Sequence, residues 1–114
     1  MVPQQPYARH IASLPLEPGD LDPGQVVAGA PRVLGADLDV PGGLAAGVWE
    51  HTAGTSTDVE VDEVFVVVSG RATVAVEGGP VLEVGPGDVG VLTAGARTTW
   101  TVHEDLRKVW VTRA

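Results

Sequence analysis

Between Asp62 and Gly95 short apolar runs alternate with glycine turns: DEVFVVVSG, then RATVAVEGGPVLEV, then GPGDVGVLTAG. Side chains alternate along an extended chain, so Phe65, Val67 and Ser69 share a face with Glu63 while Val64, Val66 and Val68 take the other. Apolar residues on both faces predict a strand that is covered on both sides, as inside a sandwich or barrel. The cadence continues through Arg71 to Glu77, a Gly78-Gly79 hairpin, Val81 to Val84, a Gly85-Pro86-Gly87 turn, Val89 to Leu92, Arg97 to Val102 and Leu106 to Thr112. Short strands bounded by glycine turns, with no helical period between them, predict an all-β domain.

Upstream, Leu44 to His51 reads as a strand with Trp49 and His51 on one face and Val48 and Glu50 on the other. QVVAG from Gln25 and RVLGADLDV from Arg32 read as two more, the second turning Asp37 and Asp39 to water. The segment TAGTST, Thr52 to Thr57, has little hydrophobic period and is expected to be a loop over one mouth of the barrel. Residues 1–24 contain Pro3, Pro6, Pro15, Pro18 and Pro23, which excludes a continuous helix and predicts an extended N-terminal arm. Ile11, Leu14, Leu16 and Leu21 are spaced to let that arm lie along a sheet, leaving 25–114 as the β domain.

Composition narrows the function classes. At 114 residues the chain makes one domain, and with no cysteine it has no disulfide, thiol nucleophile or thiolate metal ligand. A net charge of -8 argues against nucleic acid as a partner, since phosphate binders need a positive stripe. No apolar run approaches the ~18–20 residues of a membrane span, and the first residues carry no charged, then apolar, leader. The expectation is a soluble, cytoplasmic protein with no membrane partner. Nucleophile elbows, phosphate loops and HExxH motifs are absent.

Two motifs then carry a family resemblance. Glu63 and Gly70 have six residues between them, and from Gly87 a second pattern runs without a gap through Thr93, Gly95, Thr98 and Val102. This spacing resembles the paired motifs of cupins, small jelly-roll β-barrels, with the sixteen residues Arg71 to Pro86 between them. GVWE (Gly47 to Glu50), the Asp62-Glu63 pair, PGD (Pro86 to Asp88), TTW (Thr98 to Trp100) and Arg107-Lys108 are similar to the single-domain subgroup of ethanolamine-utilisation and ureidoglycine-aminohydrolase-like cupins. The resemblance covers roughly Ala45 to Val111. It implies a single-domain cupin-like jelly-roll β-barrel, and a homodimer joined through sheet edges and the N-terminal arm.

The resemblance also implies a metal site of three histidines and the motif glutamate, holding a divalent transition metal. Here the two first-motif histidine positions fall at Ser56 and Asp58, or at Thr57 and Val59 with a shorter spacing, and the third falls at Thr98. The reading is therefore a pocket without a standard metal site and with no cofactor. The alternative is a non-standard metal set of His51, Asp58 and Glu63.

Without a metal, Glu63 is a carboxylate facing an apolar enclosure, either paired or poised for proton transfer. It is the first candidate for acid/base chemistry, with a hydroxyl from Thr98 or Thr57, a buried water or an inward Lys108 as its structural partner. Lys108, the only lysine, lies in the last strand on the face of Trp110 and is the second catalytic candidate if that face is inward. Trp49, Thr98 and Trp100 are the candidate ligand-binding residues around them, Trp100 offering a stacking wall and one donor. The function expected is binding of a small polar or carboxylate-bearing metabolite, extending to a metal-independent isomerase, lyase or cyclase with Glu63 as acid/base. A metalloenzyme or a non-catalytic dimeric assembly module are the alternatives.

Overall fold

A computed structural model describes residues 4–114. Nine strands follow one another: β1 (Glu17–Pro18), β2 (Val26–Ala28), β3 (Val33–Leu38), β4 (Leu44–His51), β5 (Gly54–Val59), β6 (Glu63–Val76), β7 (Val81–Val84), β8 (Val89–Leu92) and β9 (Arg97–Arg113). The only helical pieces among the described residues are single 3-10 turns at Ile11–Ser13 and Pro23–Gln25.

The strands form one curled sheet organised on two long antiparallel strands, β6 and β9. The first part of β6 and the last part of β9 belong to one half, continued by β8 on one side and by β4, β3 and β1 on the other. The second part of β6 and the first part of β9 belong to the other half, continued by β7 and by β5 and β2. The register between β6 and β9 shifts at Val67–Ala72, where the chain passes from one half to the next. This is the cupin-like jelly-roll β fold that the motif spacing implies.

Inward residues of both halves make the core: Phe65, Val67, Ala72, Val74, Val84, Leu92, Trp100, Val102 and Leu106, with Trp49, Leu82 and Trp110 packed against it. Two glycines give the rings their space. A Cβ on Gly90 would strike the Phe65 ring, and one on Gly47 would lie 2.6 Å from Trp110 Cζ2.

Several sequence expectations are corrected. TAGTST is not a loop: its last four residues open β5, which pairs with both β2 and β9. Its threonines are β-branched and its outer face is polar, so the strand shows no hydrophobic alternation. The segments Glu63 to Ser69 and Arg71 to Glu77 are one strand, and so are Arg97 to Val102 and Leu106 to Thr112. The outer face of β6 is not covered: Val64, Val66, Val89, Val91 and Val111 are between 39% and 66% exposed. The arm's strand β1 pairs with β3 of its own chain. Arg107 anchors the arm over the same outer face, its Nη1 donating to the carbonyls of Ile11, Ala12 and Leu14 at 2.9, 3.2 and 3.1 Å while its Nε meets Glu50 at 3.1 Å. Where the arm lies, outward Val48 and Ala46 are buried.

Candidate functional site

A cavity of about 490 Å³ opens into the barrel between β4, β5, the start of β6 and β9, with Leu21 and Gln25 at its edge. Strand parity selects what points into it. Trp49 pairs across to Lys108, Ser56 to Trp100 and Asp58 to Thr98, so these side chains share the inner face. Lys108 and Trp110, two apart on β9, both reach the cavity, as their common parity requires.

At its base Lys108 Nζ donates to Glu63 Oε2 at 2.6 Å, with side-chain exposures of only 6% and 12%. The ammonium also sits 4.7, 4.6 and 4.8 Å from the ring centroids of Trp49, Phe65 and Trp100. Desolvating two ions costs several kcal/mol, which close contact, the ring faces and hydrogen bonding offset. Of its candidate partners Glu63 is therefore held by Lys108, and not by the Thr98 or Thr57 hydroxyl. Thr57 Oγ1 instead reaches the carbonyl of Gln25 at 3.5 Å.

Thr98 and Trp100 serve a different carboxylate, one that pattern reading missed. Glu60 is 8% exposed, and its Oε2 accepts from Thr98 Oγ1 at 2.7 Å and from Trp100 Nε1 at 3.0 Å. Its backbone is pinned as well, the N–H donating to the Ala96 carbonyl at 2.8 Å and the carbonyl accepting from Gly95 at 2.9 Å. At the rim, desolvation and then the Glu60 charge hold the Asp58 carboxyl above the ordinary carboxylate range.

Behind the cavity wall His51 is wholly buried. Its Nδ1 donates to the Thr52 carbonyl at 2.7 Å, so in the neutral ring Nε2 accepts from Ser56 Oγ at 2.8 Å. Burial lowers the His51 pKa below its ordinary value, against the weaker raising effects of its hydrogen bonds and Asp105. His51 is thus a satisfied core imidazole, locked against Trp49 at 5.4 Å between ring centroids.

The sequence model of the EutQ-like cupin domain matches residues 41–110, which include β4, β5, β6 and most of β9, the strands between which the cavity opens. The chain belongs to the EutQ-like cupin family. Solved cupins share its fold. The EutQ protein of Clostridium difficile superposes with a TM-score of 0.65 at 20% identity, covering 74% of this chain and 69% of its own. A DUF861-family protein of unknown function from Pseudomonas syringae pv. tomato gives 0.75 at 26% identity over 87% of this chain, which spans 44% of that protein. Ectoine synthase from P. lautus gives 0.67 at 17% identity over 94% of this chain and 77% of its own. No curated protein matches the sequence.

This cupin does not fit the metal cage its superfamily resemblance implies. Ser56, Asp58 and Thr98 stand where imidazoles are needed, and the motif glutamate is engaged by the Lys108 ammonium. The alternative set of His51, Asp58 and Glu63 is not assembled. Both His51 ring nitrogens are occupied, and among the described residues no three His, Cys, Asp or Glu side chains converge to hold a metal ion. Nor is any helix among the described residues long and apolar enough to cross a membrane.

Proposed function

We propose that this EutQ-like cupin binds a small polar or carboxylate-bearing metabolite in the mouth of its barrel without a standard metal site. The observation that carries the reading is the buried Lys108–Glu63 pair, 2.6 Å apart at the base of a cavity walled by Trp49, Trp100 and Trp110. A pocket with apolar aromatic walls and few convergent polar groups is the usual form of a small-molecule site. The pair also supports proton transfer: the ammonium can donate to a ligand oxygen while the carboxylate it releases accepts a proton from a neighbouring carbon. That division of labour suits an isomerase, lyase or cyclase, with Glu63 as base and Lys108 as acid.

Thermal-shift screening of a metabolite panel tests the reading. A ligand that binds only the folded state raises Tm, by an amount equivalent to about 2.7 kcal/mol at a concentration of 100 Kd. A compound is expected to stabilise the wild type, and Glu63→Gln to lose most of that response. If no compound in a broad panel moves the wild-type transition, the pocket reading is wrong.

A second reading, a homodimeric assembly, has its own support in the two outer faces. On the β5–β7 half the outward residues are largely polar, with Thr55, Thr57, Thr73, Thr99 and Thr101 alongside Glu83 and Arg97. On the other half Val91, Val64 and Val111 stand side by side across three strands, as do Val89, Val66 and Val109. A valine surface without charges is self-complementary about a two-fold axis, and patches of this kind mark contact surfaces. The mass of the particle in solution tests it.

A further inference from the structure

Charge in the cavity does not balance. Its lining holds Asp20, Asp58, Glu60 and Glu63 but a single cation, Lys108, and that ammonium is committed to Glu63 at 2.6 Å. Arg97 is paired across from Val59 on the outer face and borders a separate depression. Among the described residues Asp20, Asp58 and Glu60 are left without a counter-ion. Glu60 is the most demanding of the three: more than nine-tenths buried, it takes both its hydrogen bonds, from Thr98 and Trp100, on Oε2. Among the described residues nothing donates to Oε1, the oxygen left for the cavity. That oxygen is not sealed in the interior but open to the cavity, where a guest that brings an N–H and a positive charge can pair with it.

We infer that the ligand of this pocket carries a cationic nitrogen, an ammonium group received by Glu60 Oε1 and the Asp58 carboxylate beside the indoles of Trp100 and Trp49. The inference rests on the pocket reading and narrows it. A ligand whose only charge is a carboxylate would add a further negative group to carboxylates that already lack a counter-ion. An ammonium relieves their mutual repulsion, gains charge-assisted hydrogen bonds and can lie against an indole face. The chain's overall charge of -8 also steers cations toward the mouth.

Three probes of one shape separate charge from size: n-butylammonium chloride, sodium butyrate and n-butanol at equal ionic strength. Tryptophan emission reads binding directly, because Trp49, Trp100 and Trp110 line the cavity. Butylammonium is expected to perturb the emission saturably and to raise Tm, with butyrate and butanol far weaker. Glu60→Gln keeps an oxygen for Thr98 and Trp100 and should weaken butylammonium by about ten-fold or more, the worth of one charge-assisted bond. Asp58→Asn, at the exposed rim, repeats the test without disturbing the interior and should weaken it by a smaller factor. Butyrate binding as tightly as butylammonium would overturn the cation assignment and leave the pocket reading intact. So would butylammonium binding that neither substitution weakens, or a metabolite panel whose stabilising members are all anionic. Failure of every compound, probes and panel alike, removes the pocket itself.

Discussion

His51 and Asp58 lie on facing strands of one barrel, yet their protonation acts on stability in opposite directions. Burial lowers the His51 pKa, so its contribution is present above the ordinary value of 6.5 and is lost as pH falls through the depressed folded value. Asp58 is raised, so its contribution is full below 3.8 and is lost as pH rises through the elevated folded value. Acidifying from neutrality therefore costs stability through His51 and returns some through Asp58. Denaturant unfolding at a series of pH values from 7.5 to 4.5 separates them. His51→Gln is expected to flatten the loss below pH 6.5, by up to about 1.4 kcal/mol per pH unit for one proton, whatever its effect on the absolute level. Asp58→Asn should steepen the loss. An unchanged slope in His51→Gln would mean that the acid sensitivity does not come from this imidazole.

The same residues show how far single positions could be read. Parity put Lys108 on the face of Trp110 but left open whether that face turns inward, which only the pairing of β9 with β4 and β6 decides, whereas Glu63 followed from its place at the head of an apolar strand. Glu60 was not accessible that way. It lies between β5 and β6, where the period of two does not run, and its flanking Val59 and Val61 are more than half exposed while it is buried. Burial there is inverted because the backbone is fixed by Ala96 and Gly95, residues far away in sequence. Ser56 and His51 are likewise five apart in a segment without hydrophobic rhythm, and only the turn between β4 and β5 joins them.

At the scale of elements, the fold depends on β6 and β9 passing from one half of the barrel to the other, and Gly70 is where β6 does so. Its φ of +85° lies in the left-handed region, and a Cβ there would collide with the Asp105 carbonyl and lie 2.6 Å from Leu106 Cα. Gly78, in the β6–β7 hairpin, has a similar φ of +71° but open space around its missing Cβ. The pair separates backbone preference from steric conflict. Gly78→Ala is expected to cost about 1 kcal/mol, the conformational penalty alone. Gly70→Ala should cost clearly more, of order 2–4 kcal/mol, because two backbone segments must part. Equal losses in thermal unfolding would show that the crossing accommodates a methyl group. Motif spacing pointed to Gly70, but it could not show that β6 continues through it. A glycine followed by an arginine reads as a break, and only pairing with β9 on both sides makes it a bend.

At the scale of the whole molecule, the unanswered feature is the valine face beside the arm. Apolar alternation on β6 predicted cover on both sides, and within one chain the arm supplies it only as far as β4 and β9. An acidic chain leaving such a face to water would lose the burial energy of several valines, each worth about 1.5–3 kcal/mol when fully covered. Two copies related by a two-fold axis cover it with the same residues twice. The wild type is then expected to run at twice the 11.7 kDa chain mass in light scattering. Val66→Lys, at the centre of the face between Val89 and Val109, should run at the single-chain mass with an unchanged far-UV spectrum. Because dimerisation is linked to folding, the wild-type Tm should rise with protein concentration and the variant's should not. Salt adds a second discriminator: each copy carries -8, so screening their repulsion should tighten the dimer, whereas an interface built on ion pairs would loosen. A wild type that stays at the single-chain mass from micromolar to hundred-micromolar concentration would leave the valine face without a second copy to cover it and end the assembly reading.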